Sequence, residues 1–354
     1  EAIHPASFAL FDAAQYDAFD ALYQERASAG RAGEDAGAPG AAGPLPEPFR
    51  EDTATDWVPG QSLVDSRPVW IPAHFVYLPY RPRRGDAFID NSSSTGVACG
   101  RSRGEAVLKA LYEVVERDAT SIFWLAKLSP PRLLPTPDSE LDRLWRERLA
   151  TPGMEMRLLD LTPDSGLPTA AAFLLHENGG AVVGSATRHS LAEAARKALL
   201  EAIQGQLVWR DGLRDGPHVR YSEDFADVVE FPDHARAYLA PGMRRHLDFL
   251  WRHPEPRHLP DGPGAPDAAE GLRTAIEALA PLGLEPFAVD ITSPDVRRLG
   301  YWVMRVVVPG AVPLNAQHDR PYLGSDRLRQ MPARLGLESN LAGAAFNPAC
   351  HPFP

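Results

Sequence analysis

An ungapped offset of 88 residues lays one stretch of this 354-residue chain over another. Gly96, Ala98, Ser102, Glu105, Ala106, Lys109, Ala110, Leu111 and Glu113 recur as Gly184, Ala186, Ser190, Glu193, Ala194, Lys197, Ala198, Leu199 and Glu201. Two copies of one element constrain the fold, and each copy reads as a Gly-bearing turn followed by a helix. In the first copy Val107, Leu108, Leu111, Val114, Val115, Ile122 and Phe123 fall at helical spacing without Pro or Gly, which predicts a helix over 105–126. The second copy predicts a helix over 191–209. Acidic or amide side chains stand at matching points, Glu113 with Glu116 and Glu201 with Gln204, which suggests a shared site.

Strands are expected at 158–161, 169–175 and 181–183 ahead of the second helix, and at 286–290 and 301–308 after a helix over 268–280. Strands alternating with helices imply an α/β (α+β layered) fold. The segment 68–80 (PVWIPAHFVYLPY) is rich in β-formers but interrupted by prolines, so it reads as a sheet edge or an irregular strand. The Ala, Gly and Pro run 30–48 reads as a flexible loop. Residues 217–266, rich in Pro, His and charge, read as a surface insertion with one or two helices. The expected organisation is an amino-terminal part over 1–85 and a catalytic core over 86–354. The ending, Asn347-Pro348 to His351-Pro352-Phe353-Pro354, reads as an extended tail able to place a terminal carboxylate at a fixed point.

A formal net charge of -11 argues against a nucleic-acid surface, where phosphates require clustered Lys and Arg. It argues less against a nucleotide, because carboxylates can hold Mg²⁺ and the cation then accepts phosphates. Cys99 and Cys350 alone exclude a disulfide scaffold and a Cys metal cage. No apolar run approaches the roughly 20 residues of a membrane span, and the chain does not open on a signal peptide. It is therefore read as soluble and cytoplasmic. There is no Walker loop.

Glu113 and Glu116 share one helix face, yet Leu111, Tyr112, Val114 and Val115 leave little solvated surface around them. A polar pair on such a helix needs a partner, either Mg²⁺ or a basic side chain. The plainer possibility is an ion-pair network with Arg117 and Asp118. Glu201 and Gln204 repeat the arrangement, with Glu193 at the position of Glu105. Gly96 and Gly100, following 91–95, place a small-residue turn before a helix N-terminus whose N–H groups could receive an anion. The histidines lack zinc-site spacing. His351 lies beside the tail end, where it serves either proton transfer or tail docking.

The strings NSSSTGVACGRSRGEAVLKALYEVVERDA (91–119), KALLEAIQ (197–204) and VMRVVVPG (303–310), with the Pro-rich ending, resemble the YcaO family. Within it they are most similar to the cyclodehydratases that make azoline rings in ribosomal peptides. The resemblance implies a YcaO-like fold around an ATP and Mg²⁺ cleft. It implies Glu113, Glu116, Glu193, Glu201 and Gln204 as ligands of ATP or Mg²⁺, with Glu113, Glu116 and Glu201 on the metal and Arg305 at a phosphate. The Pro354 carboxylate would be the general base, with His351 beside it. The implied reaction is ring closure by a Cys, Ser or Thr side chain onto the preceding amide, whose oxygen leaves after phosphorylation by ATP.

The same resemblance implies a precursor peptide, a leader-binding partner related to ubiquitin-activating enzymes and a homodimer, and leaves room for a flavin dehydrogenase. A thioamide- or amidine-forming YcaO enzyme and a non-catalytic scaffold subunit are the alternatives. The chain departs from the family pattern in three respects. It is expected to begin after an upstream Gly-Lys-Gly-type segment that contributes to the nucleotide site. The closing Pro-x-Pro-x-Pro becomes Cys350-His351-Pro352-Phe353-Pro354. Thr95 stands where Asn is commoner, and His189 and Gly205 stand where some members carry polar or basic ligands.

Overall fold

A computed structural model describes residues 1–28, 45–83, 85–90, 93–208, 210, 220–339 and 346–353. The predicted loop at 30–48 falls almost wholly outside them. Along the chain run α1 (Ala13–Ser28), β1 (Trp57–Ser62), β2 (Pro68–Pro72), β3 (Val97–Gly100), α2 (Arg103–Leu125), β4 (Arg132–Pro135), α3 (Glu140–Leu144), β5 (Met154–Asp160), β6 (Thr169–His176), β7 (Ala181–Thr187) and α4 (Leu191–Val208). Then follow α5 (Phe231–Ala237), β8 (Arg257–Leu259), α6 (Ala268–Leu279), β9 (Phe287–Asp290), α7 (Pro294–Arg298), β10 (Trp302–Val307) and α8 (Arg327–Leu335). Two units divide these elements. The first comprises Glu1–Ala110, Leu284–Gly310 and Tyr322–Ser325; the second comprises Leu111–Gly283, Ala311–Pro321 and Asp326–Pro354. The expected boundary at residue 85 falls inside the first unit.

The first unit holds an antiparallel sheet in the order β2-β1-β9-β10-β3. Pro-rich β2 occupies an edge, where a missing N–H breaks no ladder bond on the open side. Val58, Val69, Ile71, Phe287, Val289 and Val307 are buried there with Ile3 and Phe8. Gly60 permits the close packing, since a Cβ at that position would stand 2.6 Å from Ile71 Cδ1.

The second unit holds the sheet β7-β6-β5-β4-β8, antiparallel except where β8 joins β4 in parallel. Side chains alternate across a strand, so β6 offers Ala170, Ala172 and Leu174 to one face and Phe173 to the other. The first face packs on Ala194, Ala195, Ala198, Leu199 and Ala202 of α4, and these small side chains let the helix lie close. On the other face Phe173 meets Trp251 edge-on at 5.2 Å and Phe353 at 6.5 Å.

These contacts correct the reading of 217–266 as surface insertion. Its described part contributes β8 to the sheet and buries His234, Tyr238, Leu247, Phe249 and Leu250. Burial of a large apolar side chain stabilises by roughly 1.5–3 kcal/mol, so this segment belongs to the core. Its aromatics are spaced irregularly among Pro, His and charge and show no helical or strand period. Helix α8 is likewise additional to the expected elements.

Candidate active site

Both repeat helices start on a serine. Ser102 Oγ accepts the Glu105 N–H at 3.1 Å, and Ser190 Oγ accepts the Glu193 N–H at 3.3 Å. This satisfies donors that a helix start otherwise leaves open. At α2 the Glu105 carboxylate also reaches back to the Arg101 N–H at 2.9 Å, and Lys109 pairs with it at 2.6 Å. Gly96 turns the chain with φ 80°, and a Cβ on Gly100 would stand 2.6 Å from the Ala106 nitrogen. The anion cradle expected at this helix start is thus self-capped, in part, by its own serine. Residues 91 and 92 of that turn lie outside the described residues.

Further along α2, Glu116 is buried at 6% exposure within the second unit. Ser185 of β7 donates to its Oε1 at 2.7 Å, and Arg117 Nη1 stands 3.9 Å away. Desolvation pushes the Glu116 carboxyl up to about 7; Arg117, Ser185 and Arg188 oppose the rise and the charge of Glu201 adds to it. Glu201, half-buried on α4, pairs with Lys197 at 3.0 Å. Helices α2 and α4 therefore place two carboxylates, one buried and one half-buried, within each other's field.

Edge strand β7 positions both. Gly184 faces α4, where a Cβ would stand 2.5 Å from the Ala202 nitrogen and 2.8 Å from Glu201 Cβ. Ser185, next in the alternation, meets Glu116. One residue pair thus fixes the register of α4 and the donor for the buried acid.

The other expected ligands are engaged differently. Glu193 forms a fork with Arg196 at 2.7 and 2.8 Å, and that guanidinium holds its carboxyl below the ordinary range. Gln204 is exposed and Glu113 is half-buried. Arg305 belongs to the first unit, where its Nε and Nη1 donate to the carbonyls of Phe75 and Ser93, both at 2.7 Å. These two guanidinium donors serve backbone oxygens.

Among the described residues no three His, Cys, Asp or Glu side chains converge on a metal position. Glu113, Glu116 and Glu201 accordingly form no three-carboxylate cage, because Glu116 turns to Ser185 and Glu201 to Lys197. The remaining pair still suits Mg²⁺, which is commonly held by one or two carboxylates plus phosphate oxygens and water. Glu116 has the chemistry of such a ligand, because a buried carboxylate near a second negative charge gains most from a hard cation.

His351 is buried, with Nε2 bonded to the Asn315 carbonyl at 2.8 Å. Pro354 lies outside the described residues. The plain ion-pair network foreseen around Asp118 exists, but with Arg327 rather than Arg117: Nη2 to Oδ2 is 2.6 Å, and the same guanidinium meets Asp164 at 2.8 Å. Sequence reasoning missed Ser185 and Arg188. Ser185 could have been found as the one hydroxyl in the otherwise apolar run Ala181–Ala186.

The family described as YcaO cyclodehydratase, ATP- and Mg²⁺-binding, matches residues 1–312. A protein of Methanothermobacter thermautotrophicus is 29% identical over 273 residues, covering 72% of this chain and 65% of its own length. The structure of the heterocyclase TruD is similar at a TM-score of 0.68 and 25% identity, over 99% of this chain and 46% of that one. YcaO from Methanopyrus kandleri, bound with AMPPCP and Mg²⁺, is similar at a TM-score of 0.55 and 28% identity, over 78% and 69%. This chain spans less than two thirds of the first two relatives.

Proposed function

The chain belongs to the YcaO family, and from that premise we propose that it is an ATP-dependent cyclodehydratase acting on Cys, Ser or Thr residues of a ribosomal precursor peptide. The observation that carries the reading is Glu116, a buried carboxylate facing Glu201 and flanked by Arg117 and Arg188. Such a cluster suits a cation and the phosphates it brings. Glu116 and Glu201 would hold Mg²⁺, which supplies charge neutralisation when bound. Glu113, Glu193 and Gln204 complete the proposed nucleotide-binding set.

In the proposed reaction the peptide's side-chain nucleophile attacks the preceding amide carbonyl, and the amide-derived oxygen receives the terminal phosphoryl group of ATP. Departure of that oxygen as phosphate leaves a thiazoline or oxazoline, with ADP as the other product. The protein's contribution is positioning and electrostatics, with the tail segment ending at Pro354 as the proposed proton acceptor. A leader-binding partner and a homodimer belong to the same proposal.

Glu116→Gln tests it. The amide keeps the shape and the Ser185 contact but cannot hold a cation, so peptide-dependent phosphate release should fall by more than about 100-fold. Calorimetry should show loss of Mg-ATP binding in a protein that unfolds no earlier than the parent. Unchanged turnover would reject the site.

A further inference from the structure

Residues 346–353 form no helix or strand, yet Asn347, Ala349, Cys350, His351 and Phe353 are all buried. The second unit holds this strap by named bonds. Asn347 donates its backbone N–H to the Leu125 carbonyl at 2.8 Å and its Nδ2 to that of Trp124 at 3.2 Å. Trp124 Nε1 donates to the Ala349 carbonyl at 2.9 Å, and Tyr238 Oη to that of Cys350 at 2.7 Å. The His351 ring stacks on His234 of α5, with centroids 3.8 Å apart and planes 10° from parallel.

The imidazole tautomers follow from their partners. His351 Nε2 meets the Asn315 carbonyl and His234 Nε2 the Ala316 carbonyl at 3.2 Å; a carbonyl only accepts, so both rings carry their proton on Nε2. Neither Nδ1 makes a hydrogen bond. A second proton on each ring would place two cations face to face in a buried site. Arg117 of α2 and His318 face the pair and would repel them further. Asp233 supplies a counter-charge to His234, but it is occupied by Tyr221 Oη at 2.9 Å and Arg236 at 3.3 Å. Asp224 and Asp319 face His318 instead.

We propose that His234 and Tyr238 form a clamp by which the 231–238 segment holds the 346–353 strap, and that proton uptake by the His234 and His351 stack opens it. Burial supports this, because it pushes His234 down to about 4 and His351 well below its ordinary value. The carbonyls of Ala316 and His351 favour a proton on His234, but less strongly than burial opposes it. In the docked strap both rings are neutral, whereas in the released strap they are solvated and take up protons near pH 6.5. Release therefore consumes protons, and docking weakens as pH falls below about 6.5. The limit is about tenfold per pH unit for each histidine, or about 100-fold for the pair. His234 and Tyr238 are positioning residues; the strap belongs to the tail that the proposed function uses as proton acceptor, but the clamp rests on its packing alone.

Amide hydrogen exchange of the full chain between pH 7.5 and 5, corrected for the intrinsic pH dependence, tests the clamp without ATP or peptide. Protection of 346–353 should fall steeply below pH 6.5 while the amides of β6 stay protected. His234→Phe keeps a flat ring on His351 and removes one titrating group, leaving His351 and the His318 that faces Pro348 of the strap, so the slope of log protection against pH should become shallower. Tyr238→Phe should lower strap protection by about tenfold at every pH and leave the slope unchanged. A pH-independent strap in the parent protein would overturn the proposal even where His234→Phe does not fold, and so would an unaltered slope in a folded His234→Phe. Loss of cyclodehydratase activity would not affect either reading of the exchange.

Discussion

Glu116 and Asp118 sit two residues apart on α2, both buried, at 6% and 3% exposure. Their surroundings differ. Asp118 takes Nε and Nη2 of Arg327, with distances from 2.6 to 3.1 Å, and the Val312 N–H at 2.9 Å. Its charge is matched by a guanidinium and its oxygens are filled by donors. Glu116 has one hydroxyl donor, an arginine 3.9 Å away and a second carboxylate close enough to raise its proton affinity. Burial alone does not mark a functional acid. Unmet demand for positive charge separates an acid that can recruit a cation from one that anchors a helix.

The comparison breaks first at Asp118. Asp118→Asn leaves Arg327 in a buried site with one of its two carboxylate partners gone, and removing one member of a buried pair costs about 3–5 kcal/mol. Denaturant unfolding should show that loss. Adding Arg327→Met should not recover it, because buried Asp164 then loses its own 2.8 Å bond to the same guanidinium. A loss below about 1 kcal/mol in Asp118→Asn would mean that Asp118 is no anchor and that the contrast with Glu116 is mistaken.

The Glu116 side of the contrast is tested by pH. A carboxyl at about 7 in the folded protein, against an ordinary 4.5, makes the folded state bind the extra proton. Its contribution to stability is fully present below about 4.5 and is lost as pH rises to about 7, amounting to about 3 kcal/mol. The buried histidines act in the opposite sense below 6.5, so the informative quantity is the difference between the parent and Glu116→Gln. That difference should grow in favour of the variant from pH 4.5 to 7 and then level off. A difference independent of pH would show that Glu116 carries no raised affinity.

Much of this frame was legible because it rests on local patterns. Helices α2 and α4 follow from apolar periodicity, and strands β5 to β7 from short apolar runs between turn signals. The acids Glu113 and Glu116 stood out because apolar neighbours left them little solvated surface, and Glu201 because the repeat aligns it with Glu113. What remained hidden depends on partners distant in sequence. Arg327 meets Asp118 across 209 residues and Ser185 meets Glu116 across 69, and no local period encodes either pair. Tyr238 and Phe249 both meet the ring of Trp124 on α2, a partner that their own Pro- and His-rich segment does not announce. Pro332, inside α8, obscured that helix.

The smallest expected effect concerns Glu193, a half-exposed acid that the repeat aligns with Glu105. Its fork with Arg196 is partly solvated on both sides, so Arg196→Gln should cost no more than about 1 kcal/mol in stability. The consequence for ligand binding is sharper than that figure. If Glu193 belongs to the Mg-ATP set, Arg196 competes with the cation for the same oxygens. Releasing the carboxylate should then tighten Mg-ATP binding by a few-fold in calorimetry, since the competing ion pair is worth less than about 1 kcal/mol. Unchanged binding would place Glu193 with Asp118, as an acid whose charge is already answered within the fold, and would leave Glu116 and Glu201 as the carboxylates available to a cation.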